Sequence, residues 1–256
     1  MVDCQSFAHE KGLKTYTVPE GITRIPDKTF DQCSNLKSVI LPESLAEICD
    51  GAFSGCMSLE RIHIPSAVES IGPQAFTYCM GLKQIEVSES NRMYSSDQGV
   101  LYDKLRTTLI KYPAGITGEA ELPEGLCEIG EWAFEWSSIS RILVPDGVTH
   151  INARAFSGCI KVCEIVLPES ITRIGVQAFF GCRCLRSLVI PEGVLIIERS
   201  TFYNCTNLES VFIPESVVSL DSWVFDGCPK LVVHCPLGSY TQEYCESCGI
   251  RYTVQD

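Results

Sequence analysis

Prolines recur at Pro19, Pro42 and Pro65, and again at Pro123, Pro145, Pro168, Pro191 and Pro214, with a spacing of 23 residues broken once by 22. A phenylalanine column keeps step with them: Phe7, Phe30, Phe53, Phe76, Phe134, Phe156, Phe179, Phe202 and Phe225. Self-similarity at this period marks a stack of identical supersecondary units. Within one unit the apolar positions are Leu36, Val39, Leu41, Leu45, Ile48, Phe53 and Cys56. Leu-x-x-Val-x-Leu alternates as a strand does, and the proline that follows stops it because it has no N–H for a ladder. Glu43-Ser44 and Glu20-Gly21 after the proline are turn chemistry. So short a unit cannot bury seven apolar side chains alone; stacked on its copies it can.

These residues resemble the leucine-rich repeats of the bacterial surface protein A (BspA) type, Leu-x-x-Ile-x-Ile-Pro followed by Ile-Gly-x-x-Ala-Phe-x-x-Cys. Ile62-His63-Ile64-Pro65, then Ile71-Gly72-Pro73-Gln74-Ala75-Phe76-Thr77-Tyr78-Cys79, follow that pattern nearly letter for letter. The resemblance implies a right-handed leucine-rich repeat solenoid of nine to ten coils, with parallel strands on a concave face and a binding role. It covers one domain: repeats in 1–87, an irregular hairpin-bearing repeat in 88–122, further repeats in 123–231 and a cap in 232–256. In the irregular repeat, Val100–Tyr102 and Thr107–Tyr112 around Asp103–Arg106 read as a protruding hairpin. In the cap, Ser239 is the expected helix N-cap and Gly249 its stop, before a closing strand. The chain opens in mid-repeat, Phe7 and Leu13 being spaced as Phe30 and Leu36.

Composition narrows the function. Lys plus Arg number 20 against 32 Asp plus Glu, a net charge of -12. That balance offers no footprint for nucleic acid or an anionic membrane, and no apolar run approaches the ~20 residues needed to span a bilayer. MVDCQSFAHEKG lacks the basic and apolar regions of a secretory signal. The expected location is cytoplasmic if Met1 is the native start, and the cell surface or outside if this is a piece of a longer chain.

Of 15 cysteines, seven sit three residues after a column phenylalanine: Cys33, Cys56, Cys79, Cys159, Cys182, Cys205 and Cys228. Such regularity reads as buried, reduced thiols whose S–H groups meet backbone carbonyls. Cys245 and Cys248, with His234 and Cys235 upstream, could in principle supply zinc ligands; packing against the cap is the preferred reading, and no metal or cofactor is expected. His9, His63, His150 and His234 recur in no column and sit in no nucleophile motif, so no catalytic residue is assigned and no enzymatic activity is expected. Seven column prolines precede an acid: Glu20, Glu43, Glu124, Asp146, Glu169, Glu192 and Glu215. These read as a solvated turn edge, with a weak cation-binding or basic-partner strip as the alternative.

The exposed position inside each strand is the candidate for function. It reads Thr17, Ile40, His63, Glu86 and Glu121, then Leu143, Val166, Val189 and Phe212. Four apolar residues in succession mark a possible interaction patch, and Arg141, Glu164, Arg186, Ser187, Glu209 and Ser210 would rim it. The expected function is a non-enzymatic scaffold that binds a protein through this face. A fragment of a surface adhesin is the alternative, and a metal or redox protein using the terminal cysteines is a distant third.

Overall fold

Alternation in Leu-x-x-Val-x-Leu turns every second side chain inward, and the structure pairs these segments in parallel at a one-repeat offset. It is a computed structural model that describes residues 6–255. Two compact units make up the chain, Met1–Ile116 with Phe134–Ser137 and Thr117–Ala133 with Ser138–Asp256. In the N-terminal unit Thr15–Thr17 pairs with Ser38–Ile40, and Arg61–Ile64 with Gln84–Val87. In the C-terminal unit Thr117–Ala120, Ser138–Leu143 and Glu164–Val166 pair in series, as do Ser187–Val189, Ser210–Phe212, Val232–Pro236 and Tyr252–Gln255. Both units are thus stacks of leucine-rich repeat coils, and the fold class is the expected β-solenoid.

Each coil carries a second, two-residue strand that the periodicity did not reveal. Arg24–Ile25, Glu47–Ile48 and Ser70–Ile71 pair in parallel in the N-terminal unit. Glu128–Ile129, His150–Ile151, Arg173–Ile174, Ile196–Ile197 and Ser219–Leu220 do so in the C-terminal one. Two residues are too few to show an alternation, so only the neighbouring coil defines them as strands. Close approach at this ladder explains two of the glycines. A Cβ on Gly72 would lie 2.7 Å from the Asp50 backbone, and one on Gly175 2.8 Å from the Ala153 nitrogen.

Phenylalanine rings stack from coil to coil. Centroids are 5.5 Å apart for Phe7–Phe30, 5.1 Å for Phe30–Phe53 and 5.7 Å for Phe53–Phe76. In the other unit Phe156–Phe179, Phe179–Phe202 and Phe202–Phe225 follow at 5.5, 5.4 and 5.7 Å. Burying each ring stabilises the stack by about 1.5–3 kcal/mol through area alone. Beside each ring a thiol donates to the carbonyl of the phenylalanine one coil earlier: Cys33 to Phe7, Cys56 to Phe30 and Cys79 to Phe53, and likewise Cys182 to Phe156, Cys205 to Phe179 and Cys228 to Phe202, all at 3.0–3.2 Å. The same carbonyls already accept a backbone N–H in their own coil, as Phe53 does from Cys56 at 3.1 Å, so the thiol fills the small apolar space and adds a second, weak donor.

The insertion differs from expectation in two ways. Val100–Asp103 and Thr108–Lys111 do form an antiparallel hairpin, but Tyr94–Asp97 adds a third antiparallel strand. Gln98 and Gly99, with φ of 47° and 84°, supply the left-handed two-residue turn between the first two strands. Nor does the hairpin protrude as a whole. Val100, Leu101, Tyr102, Leu109 and Lys111 are buried, and Leu101 belongs to the core; only the tip, with Leu105 80% exposed, stands clear. The insertion therefore continues the core of its unit, and the ring of Tyr112 stacks at 4.8 Å on Phe134. At the C-terminus the helix Tyr240–Cys248 begins at Ser239, whose hydroxyl accepts from the Gln242 N–H at 3.3 Å, and ends at left-handed Gly249.

Candidate interaction surface

Ile142, Ile165, Leu188 and Val211 point into the core of the C-terminal unit, none more than 5% exposed. Strand alternation then turns their successors outward. Leu143 faces Val166 in register, and Val189 faces Phe212, which continues to His234 and Thr253. Leu143, Val166 and Val189 are 56%, 37% and 60% exposed, while Phe212 is half-buried. The anticipated apolar residues do occupy the solvent side of their strands. The row ends in a polar pair, His234 Nδ1 lying 2.6 Å from the Thr253 hydroxyl.

Its flank is charged. Arg141 sits between Glu119 at 3.5 Å and Glu164 at 3.0 Å, all three substantially exposed. Pairs of this kind contribute about 0–1 kcal/mol to stability, but they hold the guanidinium in place beside Leu143. A shallow cavity of about 290 Å³ opens there, lined by Glu119, Leu122, Arg141, Leu143 and Pro145. Arg186 and Glu209 are exposed one residue before the strands Ser187–Val189 and Ser210–Phe212, in which Ser187 is exposed and Ser210 half-buried. Sequence reading missed Cys163 in this flank, since it lies outside the thiol column. It is exposed, its thiol donates to the Lys161 carbonyl at 3.4 Å, and partial burial together with the neighbouring Cys184 raises it while Arg186 pulls it down.

The terminal cysteines do not gather with His234. Residues 234 and 235 alternate on one strand, so His234 reaches Thr253 while Cys235 turns inward. Cys245 is buried and raised to about 12 by that burial, and Cys248 is exposed. Among the described residues no group of three or more His, Cys, Asp or Glu is arranged to hold a metal ion. All seven turn acids are exposed. The serines beside them bridge coils instead: Ser44 accepts from the Gly21 N–H at 3.0 Å and donates to the Ile22 carbonyl at 2.9 Å, and Ser170 does the same for Gly147 and Val148.

A profile of the "BspA type Leucine rich repeat region" matches residues 1–118 and 117–232, in six copies. The chain belongs to the BspA-type leucine-rich repeat family. Among solved structures, a leucine-rich cell surface protein of Faecalibacterium prausnitzii is 34% identical, with a TM-score of 0.85 over 94% of this chain and 64% of that one. This BspA-type chain thus spans just under two thirds of that protein's length. The pneumococcal vaccine antigen PcpA shares the fold at 22% identity, with a TM-score of 0.82 over 95% of this chain and 68% of that one. A leucine-rich repeat protein of Eubacterium ventriosum shares it at 21% identity and a TM-score of 0.61, over 86% of this chain and 84% of that one. No curated protein matches the chain. Among the described residues no helix is long and apolar enough to cross a membrane.

Proposed function

We propose that this BspA-type chain is a non-enzymatic scaffold that captures a protein partner on the strand face of its C-terminal unit. The observation that carries this reading is the exposed apolar row Leu143, Val166, Val189 and Phe212, on strands whose flanks carry Arg141, Glu164, Arg186 and Glu209. An apolar centre with a charged rim is the usual anatomy of a recognition patch. The row costs the fold nothing it needs, because the core is complete beneath it. The double substitution Val189→Asp with Phe212→Ser is expected to abolish capture of the partner from source-cell extract while the melting temperature stays within a few degrees. An unchanged set of captured proteins would place recognition elsewhere, the Leu105 tip of the insertion being next.

A second reading is favoured by the 34% identity to a leucine-rich cell surface protein: the scaffold acts at the cell surface as part of an adhesin. Antibody labelling of intact source cells, before and after external protease, tests it. Label that protease removes supports the surface reading, and label seen only after lysis rejects it.

A further inference from the structure

Two residues before Phe134, Phe156, Phe179, Phe202 and Phe225 the backbone is left-handed: φ is 57° at Trp132, 55° at Arg154, 57° at Gln177, 55° at Ser200 and 56° at Trp223, all five in the C-terminal unit. Equal backbone angles in successive coils set these side chains in one line along the unit. The line shows how an indole is used at this position. The guanidinium carbon of Arg154, from the following coil, lies 4.4 Å above the ring centre of Trp132, and its Nε donates to the Gln177 carboxamide oxygen.

Trp223 is the last member of the line. Beyond it the chain runs into the strand Val232–Pro236 and the cap helix Tyr240–Cys248 rather than into another coil, and the indole is 56% exposed. Where Trp132 meets an arginine, Trp223 lines an open cavity of about 460 Å³, shared with Tyr244 and with the exposed carboxylates of Asp221 and Asp226. Among the described residues no lysine or arginine lines it. Tyr244 donates to the Asp221 carbonyl at 3.4 Å, so the phenol adds a second aromatic wall.

We propose that the Trp223 cavity receives an arginine side chain of a partner protein. Its guanidinium stacks on the indole as Arg154 does on Trp132, and Asp221 and Asp226 supply the countercharge. A planar guanidinium suits this site better than an ammonium, because it can lie flat on the ring while its edge donates to carboxylates. The site is separate from the apolar strand row and does not depend on that reading.

The indole N–H resonances of the three tryptophans provide the test, that of Trp223 being assigned by its loss in Trp223→Phe. Acetyl-arginine amide should shift the Trp223 signal saturably in the millimolar range, leaving Trp132 and Trp136 in place. Acetyl-lysine amide should bind more weakly and acetyl-citrulline amide, uncharged but nearly the same shape, not at all. Asp221→Asn with Asp226→Asn should weaken the arginine probe at least about tenfold, one charge-assisted contact being enough for that. These four side chains are exposed or half-buried, so the variants should melt with the parent, and the asparagine pair keeps the test valid if Trp223→Phe folds poorly. No saturable shift, an equal response to citrulline or lysine, or an undiminished response in the asparagine variant would overturn the proposal.

Discussion

The strand faces of the two units are built on the same interior and yet share almost no chemistry. In the N-terminal unit the outward row reads Thr17, Ile40, His63 and Glu86, with His63 Nδ1 4.0 Å from a Glu86 carboxylate oxygen. In the C-terminal unit it runs from Glu121 through Leu143, Val166, Val189 and Phe212 to His234, apolar at its centre and polar only at its ends. Beneath both lie stacked phenylalanines, 5.1 Å apart for Phe30–Phe53 and 5.5 Å for Phe156–Phe179, and thiols bonded to carbonyls at 3.2 Å for both Cys56 and Cys182. An interior side chain has its own copies above and below, so a change in one coil is felt in two others. An outward side chain lacks that constraint and is free to diverge. Differences between the units on this face are therefore not demanded by the fold, whereas the similarities beneath it are.

The largest expected effect challenges the shared interior. Phe53→Ala and Phe179→Ala remove fully buried rings, and each should cost about 3–5 kcal/mol in denaturant unfolding. A large inequality between them would mean that the two stacks are not equivalent. The next effect, counted per residue, is alkaline. Burial pushes Cys56 up, Cys79 to about 12 and Cys182 well up, Cys182 also through its neighbour Cys159, and Cys205 is raised by the neighbouring thiol of Cys228 and by burial. In the unfolded chain these thiols ionise near pH 8.5, and in the folded one they hold their protons. The stability they contribute is intact below that pH and is lost between about pH 8.5 and 12, by about 1.4 kcal/mol per pH unit for each such thiol. Melting temperature followed from pH 7.5 to 10.5 checks the sign; a flat profile would show that the column thiols are open to water. Among the described residues only the N-terminal ladder has a buried cation within reach, the charge of Lys111 pulling Cys79 back down. Lys111→Met should therefore raise the Cys79 pKa, read as slower alkylation at pH 9.5. The smallest effect sharpens the contrast between the faces. Ile40→Ser and Val189→Ser should each change stability by no more than about 0.5 kcal/mol, and only Val189→Ser should weaken partner capture.

Much of the fold was legible because it repeats. The phenylalanine and thiol columns, the strand-stopping prolines and the cap, from Ser239 to Gly249, all rest on rules local to one coil or on its identity with the next. The insertion was harder: its first strand, Tyr94–Asp97, is polar and only moderately alternating, although Gln98-Gly99 held the signal for a tight turn. The outward row was readable by alternation. The cavity at Trp223 was not, because an indole at that position looks the same in sequence whether another coil or solvent follows it.

Period and alternation, properties of the chain alone, determined which side chains go inside and that coils stack, because one unit cannot bury its apolar face without its copies. Tertiary structure alone decided what meets at the places where repetition fails. Arg154 over Trp132, Lys111 near Cys79 and the acidic, aromatic hollow around Trp223 all join residues whose neighbours are not copies of themselves, and no period can announce such contacts.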